Sequence, residues 1–256
     1  MGRITRAFEQ GKALIAFIMA GDPSLKKTEE LVLALEDGGA DIVELGVPFS
    51  EPIADGPVIQ RAGQRALKAG TTLAKIMDLV SALRERTQIP LVLMGYYNPF
   101  FRYGLERCVR DAVAVGVDGF IVPDLTPEES GPLLISARKH GLDTIFLLAP
   151  TSTLKRIALV SRVSTGFLYY VSLTGVTGMR TRLSATIAPM VNKIKRYTDL
   201  PLAVGFGVSS PKHVRGVLSV ADGVVVGSAI VSLIENGGPG LLKRVQTFVR
   251  NLKNPL

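Results

Sequence analysis

Eight short runs rich in β-branched and other apolar residues recur along the chain, near Leu14 to Met19, Ile42 to Gly46, Pro90 to Met94, Gly119 to Val122, Thr144 to Leu148, Gly166 to Val171, Leu202 to Gly205 and Gly223 to Val226. Each is separated from the next by a segment long enough for a helix. Strands that alternate with helical patterns imply βαβ crossovers and a parallel sheet. Four runs are approached alike: GGADIVEL, VGVDGFIV, HGLDTIFL and SVADGVVV each place a hydrophobe and an aspartate just before the strand, three of them after a glycine. Glycine there suits a helix C-cap, and the aspartate suits a short helix-to-strand turn.

Eight such units predict a closed (β/α)8 TIM barrel, a single α/β domain over residues 1–256 with a short helix ahead of the first strand. The alternative is an open, doubly wound sheet. Three observations favour the barrel: no run reads as a polar edge strand, 256 residues match the usual size of the fold, and the GxGxxG turn of a dinucleotide-binding sheet is replaced after the first run by Gly21-Asp22-Pro23.

Several function classes are excluded by composition. With 47% apolar and 20% charged residues the chain buries a full core. Its longest apolar stretch, Ala13 to Gly21, is well short of the ~20 residues a membrane helix needs. Glu9 and the turn at Gly21-Asp22-Pro23 argue against a signal peptide, and no transit peptide is read. The expected compartment is the cytoplasm, or the plastid stroma for a plant source. The one cysteine, Cys108, lies in a helical pattern and reads as packing, and neither His140 nor His213 stands at metal-ligand spacing, so no metal site is expected. The net charge of +8 is spread along the chain without interleaved aromatics. Solvated helix faces and an anionic small substrate account for it better than nucleic acid does.

The charge pattern within the second run is unusual. Residues 41–46, Asp-Ile-Val-Glu-Leu-Gly, alternate faces with period two, so Glu44 shares a face with Ile42 and Gly46 while Val43 and Leu45 point the other way. A strand interior is a costly place for a charge. A second carboxylate, Asp55, follows in the loop. The residues alone allow two readings of Glu44: a structural acid paired with a cation, or a functional one.

In a barrel, chemistry sits at the carboxyl ends of the strands. That rim collects Glu44 and Asp55 after the second strand, Tyr96 after the third and Pro123-Asp124 after the fourth. Glycines cluster after the last three strands, at Gly175, Gly178, Gly205, Gly207 and Gly227, with Ser228 opening the next helix. Barrels commonly bind phosphate there through backbone N–H groups and a helix N-terminus. Phe17, Tyr96, Tyr169 and Phe206, each near a strand end, offer a lining for a flat aromatic substrate portion or serve as ordinary core.

These residues, in this order, closely resemble the tryptophan synthase α-subunit family. The resemblance runs through Phe17 to Pro23, Glu44 to Gln60, Pro123-Asp124-Leu125, Tyr169 to Gly178, Gly205-Phe206-Gly207 and Gly227 to Val231. It implies a lyase that cleaves indole-3-glycerol phosphate to indole and glyceraldehyde 3-phosphate in tryptophan biosynthesis, with no cofactor in this chain. It also implies a β-subunit partner, carrying pyridoxal phosphate, in an α2β2 heterotetramer. By the same resemblance Glu44 is the acid–base group, Asp55 holds the indole N–H, and Tyr169 supports Glu44. Phe17, Tyr96 and Phe206 fall at pocket positions, and Gly178, Gly205, Gly207, Gly227 and Ser228 at the phosphate site. Thr177 looks like the residue that closes over the substrate to meet Asp55. Glu51 departs from the family, which commonly has aspartate there, and so bears on coupling to the partner; the basic segment Met179 to Leu183 bears on loop closure.

Two other classes stay in view. Another phosphate-binding barrel enzyme, such as a phosphosugar isomerase or indole-glycerol-phosphate synthase, is disfavoured by the Glu44 and Asp55 pair and by the lack of a lysine at an obvious strand end. A barrel that has lost catalysis and only activates a partner is disfavoured by retention of both acids.

Overall fold

The computed structural model describes residues 2–172, 183–205 and 207–253. Every predicted strand is present: β1 (Ala13–Met19), β2 (Ile42–Gly46), β3 (Leu91–Met94), β4 (Gly119–Ile121), β5 (Asp143–Ile145), β6 (Leu147–Leu148), β7 (Leu168–Val171), β8 (Leu202–Gly205) and β9 (Gly223–Val226). All pairings are parallel, in the order β5-β4-β3-β2-β1-β9-β8-β7-β6. The two ends of that order, β5 and β6, are consecutive in the chain and separated only by Phe146. The fifth predicted strand is therefore split, its first half pairing with β4 and its second with β7. The sheet closes through Phe146, whose carbonyl accepts the Tyr169 N–H at 3.2 Å.

Helices surround the sheet: α1 (Arg3–Glu9), α2 (Leu25–Asp37), α3 (Pro57–Lys68), α4 (Leu73–Arg84), α5 (Tyr97–Tyr103), α6 (Leu105–Val115), α7 (Gly131–His140), α8 (Leu154–Val163), α9 (Leu183–Ile194), α10 (Pro211–Leu218), α11 (Ser228–Asn236) and α12 (Leu241–Lys253). Local chemistry sets their ends. The Ser24 and Thr72 hydroxyls accept from Lys27 and Lys75 N–H at the starts of α2 and α4, and Pro57 opens α3 where a missing N–H costs nothing. The three glycines that precede the repeated aspartates, Gly39, Gly116 and Gly141, all have positive φ just after a helix, as the repeat predicts.

Period-two alternation divides the apolar side chains into layers. Leu14, Ala16, Ile18, Val43 and Leu45 face outward into the large cluster shared with the helices. Ala13, Ile15, Ile42, Val92, Ile121, Ile145 and Val225 fill the barrel interior, and α1 closes its lower end with Ile4, Ala7 and Phe8, the Phe8 ring lying 5.6 Å from that of Phe167. Cys108 is buried on α6 with its thiol pushed up to about 12, chiefly by burial, as suits a packing residue. No helix among the described residues is long and apolar enough to cross a membrane.

The repeated aspartates fasten the lower rim. Asp41 accepts the N–H of Leu14 at 2.6 Å, Asp118 that of Leu91 at 2.8 Å and Asp222 that of Leu202 at 3.0 Å, so each ties its own strand to the one before it. Each also meets a cation: Lys253 with Asp41, Arg84 and Arg3 with Asp118, and Lys195 with Asp222. Asp143, the fourth, takes the Thr165 hydroxyl instead. The Asp118–Arg84 pair is the most enclosed, with side chains 8% and 10% exposed. Asp118→Ala takes the carboxylate from two cations and the acceptor from a strand N–H, and is expected to cost about 3 kcal/mol. Asp222→Ala, at a wetter site, should cost nearer ~1 kcal/mol. Urea unfolding of the two variants measures both losses, and an equal or reversed order contradicts this account.

Candidate active site at the carboxyl-terminal mouth

The barrel is plugged from below and open above, and its upper mouth holds a cavity of about 450 Å3. Glu44 stands at the floor. The register pairs it with Phe17 on one side and Val92 on the other, so it points inward between apolar neighbours. Glu44 is 0% exposed, neither carboxylate oxygen has a hydrogen-bond partner, and burial alone pushes its pKa from 4.5 up to about 8. Among the described residues no cation neutralises it, so they give the ion-pair reading no support and their burial of the carboxyl holds it neutral.

Tyr169, on β7, lines the same floor and is itself buried. Its hydroxyl is driven well above the ordinary value by burial, and further by Glu44 whenever that carboxyl is ionised, which keeps it a proton donor. The ring occupies space that Gly205 leaves free: a Cβ at Gly205 would lie 2.5 Å from the Tyr169 Oη. Gly46 does the same for Phe17, whose Cζ would lie 2.7 Å from a Cβ there. These two glycines are explained by steric room beside an aromatic ring.

Asp55 enters the cavity wall from the turn between β2 and α3. Burial raises its carboxyl, and a hydrogen bond from the Tyr96 hydroxyl opposes that rise. Tyr96 does not line the cavity. Its hydroxyl also accepts the Ala54 N–H at 2.8 Å, its ring packs 5.4 Å from that of Phe49, and burial first of all raises its pKa to about 12, so it braces the Asp55 turn from behind. The two acids thus have different environments, Glu44 sealed and partnerless, Asp55 half-buried and hydrogen-bonded.

Opposite them the wall is made of Gly207, Gly227 and Ser228. Gly207 has φ +31° with nothing within 4 Å of where a Cβ would stand. Gly227 is the N-cap of α11, whose first turn carries no acidic side chain, so its amides and dipole favour an anion. Thr177, Gly178 and Phe206 lie outside the described residues.

The cavity also uses residues the sequence reading passed over. Val58 and Ile59 from the first turn of α3, Met94 from β3, and Val208 and Val225 supply apolar wall. Met94 was legible, since the alternation that turns Val92 inward turns Met94 inward too. Val58 and Ile59 were not, because which face of α3 meets the cavity depends on how the helix packs.

A family model described as tryptophan synthase alpha chain matches residues 5–255. The chain is 54% identical to the tryptophan synthase alpha chain of Geotalea uraniireducens, over 99% of this chain and 97% of that one. The chain belongs to the tryptophan synthase alpha chain family. Among solved structures it resembles tryptophan synthase subunit alpha of Legionella pneumophila str. Paris, with a TM-score of 0.91 and 36% identity over 100% of this chain and 98% of that one. It also resembles a chain from the tryptophan synthase a2b2 complex of the hyperthermophile Pyrococcus furiosus, with a TM-score of 0.90 and 40% identity over 95% of this chain and 99% of that one.

The burial of Glu44 has a signature in stability. An unfolded glutamate releases its proton near 4.5, while folded Glu44 keeps it to about 8, so the folded state loses stability as pH rises through that interval. Glu44→Gln removes this dependence. The stability of the variant relative to the unchanged protein should rise by a few kcal/mol, in order of magnitude, between pH 5 and pH 8, at roughly 1.4 kcal/mol per unit at most. Urea unfolding of both proteins at the two pH values checks it, and a gap that does not widen would show that Glu44 is not held neutral.

Proposed function

We propose that this chain cleaves indole-3-glycerol phosphate to indole and glyceraldehyde 3-phosphate by a retro-aldol step, with Glu44 as the acid–base group. The observation that carries this reading is a buried, partnerless carboxyl, with a pKa raised to about 8, at the floor of a cavity whose wall offers amides to a phosphate. Cleavage of the bond between indole C3 and the glycerol chain requires a proton at C3, which turns the ring into an electron-accepting indolenine. It also requires loss of the proton on the adjacent chain hydroxyl. The bond's electron pair then returns to the ring and the hydroxyl carbon becomes the aldehyde. Glu44, protonated at rest, gives the first proton and as carboxylate takes the second, so the cycle ends with the acid restored.

Asp55 is the complement. Held by the Tyr96 hydroxyl, its carboxylate accepts the indole N–H and stabilises positive charge developing on the ring. Tyr169 orients Glu44, Phe17 lies against the ring, and the phosphate sits at Gly205, Gly207, Gly227 and Ser228, joined by Gly178 by resemblance, while Thr177 by the same resemblance closes over the substrate towards Asp55. The reading asks nothing of a cofactor in this chain; pyridoxal phosphate belongs to the expected β partner. That partner meets the loop that carries exposed Glu51 and Ile53, the latter 86% exposed and placed directly before the Asp55 turn, in an α2β2 assembly. The cytoplasm is the proposed compartment.

Indole release by the purified chain, alone and with a β subunit, tests the reading: slow release alone and faster release in the complex are expected, and no indole under either condition refutes it. Glu44→Gln should fold and bind ligand while losing ~10²–10⁴-fold in turnover. Because the resting acid is the protonated form, kcat/KM should fall as pH rises through about 8. Asp55→Asn should also lose rate heavily, and full retention would mean that the ring nitrogen is held elsewhere.

A further inference from the structure

One charged cluster near the mouth lines no part of the cavity. Asp22, in the loop after β1, is 2% exposed and receives Arg65 Nε and Nη2 at 2.7 and 2.8 Å, a bidentate pair. The third arm of the same guanidinium, Nη1, reaches Glu235 Oε1 at 2.8 Å, and Glu235 is gripped again by Arg61 at 2.7 and 2.8 Å. A buried carboxylate is kept charged only by a well-formed partner, and the planar fork of arginine is what allows one side chain to hold two acids at fixed angles.

The placement of these residues gives the cluster a task. Arg65 is on α3, whose first residues Val58 and Ile59 line the cavity and whose preceding turn carries Asp55. Glu235 is on α11, whose N-terminal residue Ser228 and N-cap Gly227 form the anion wall. The apolar contacts between the two helices are small or aliphatic, Ala62, Ala66 and Val231, beneath Phe17 and Met19, and the directional ones are those of Arg61 and Arg65 with Glu235. Apolar contacts of this kind hold two helices together but leave them free to slide. Directional bonds at Arg65 do not.

We propose that Arg65 is a positioning residue: by pairing with Asp22 and Glu235 it fixes the distance between Asp55, which holds the ring, and the turn at Gly227-Ser228, which holds the phosphate. This rests on the function proposed above. A substrate gripped at both ends is sensitive to that distance, because an error of about 1 Å is enough to misalign reacting atoms. A ligand gripped at one end is not sensitive to it.

The test compares fragments with a linked ligand. Indole and glycerol 3-phosphate are the fragments, and a 3-substituted indole bearing a phosphate on a three-carbon chain is the linked, uncleavable probe. In Arg65→Gln both fragments should bind as in the unchanged protein, while the linked probe weakens and kcat falls, each by about tenfold or more. Arg61→Gln removes a second α3–α11 link while leaving both Arg65 pairs in place, and should weaken the linked probe less than Arg65→Gln does; an equal or larger loss would place the tie at Arg61 and overturn the assignment to Arg65. Should Arg65→Gln fail to fold, Glu235→Ala removes the α11 acceptor of Arg65 and of Arg61 while leaving the Asp22–Arg65 pair, and carries the same expectation. Equal weakening of fragments and probe would make Arg65 a merely structural residue, and an unchanged probe would remove its role altogether. If the unchanged protein releases no indole in the same assay, the proposed function fails, whereas the probe-to-fragment comparison still decides the positioning role.

Discussion

A carboxyl buried in an apolar barrel, with no hydrogen bond to either oxygen among the described residues, is the constraint around which the upper half of this molecule is arranged. Ionising Glu44 costs more there than in water, so its site keeps it protonated to about pH 8. That works only while water stays out and the neighbours stay put. Phe17 and Val92 beside it, Tyr169 beyond it, and the plug of α1 beneath all maintain the dry floor. The same isolation that makes the residue expensive makes it a proton donor at neutral pH.

The two rims of the barrel divide the labour. Below, charge is used to saturate backbone donors and acceptors: three aspartates each take a strand N–H and a cation. At the upper rim, charge and amides are left unsatisfied or are held in tension, as in the Asp55 turn braced by the Tyr96 hydroxyl and the anion wall at Gly207 and Gly227. Stability and chemistry thus draw on the same residue types for opposite purposes, and a carboxylate's position along its strand tells the two apart.

Much of this was readable from residues alone. The alternation around Glu44 gave its face, the recurring glycine and aspartate gave the turns under the strands, and eight apolar runs gave the sheet. The break at Phe146 was not readable, because closure of the barrel is decided by what β4 and β7 can each reach. Tyr96 sits at a strand end like its aromatic fellows and differs only in pointing behind the Asp55 turn, which is a matter of how α5 starts. Arg65 looked like any arginine on a solvated helix. Its role depends on a carboxylate 43 residues earlier in the chain and on another 170 residues later. Local pattern reports which face a side chain takes, and partners that distant appear only once the helices are packed.

The space beside Tyr169 has an evolutionary corollary. Because a single methyl group at position 205 would collide with the ring carbons as well as with the hydroxyl, removing the hydroxyl alone does not make room. Positions 169 and 205 must exchange volume together, a larger residue on β8 being admissible only with a smaller, non-aromatic one on β7. A lineage that abandoned the phenol would therefore leave a double scar, and a glycine still present at 205 is the trace of a ring that has to be kept.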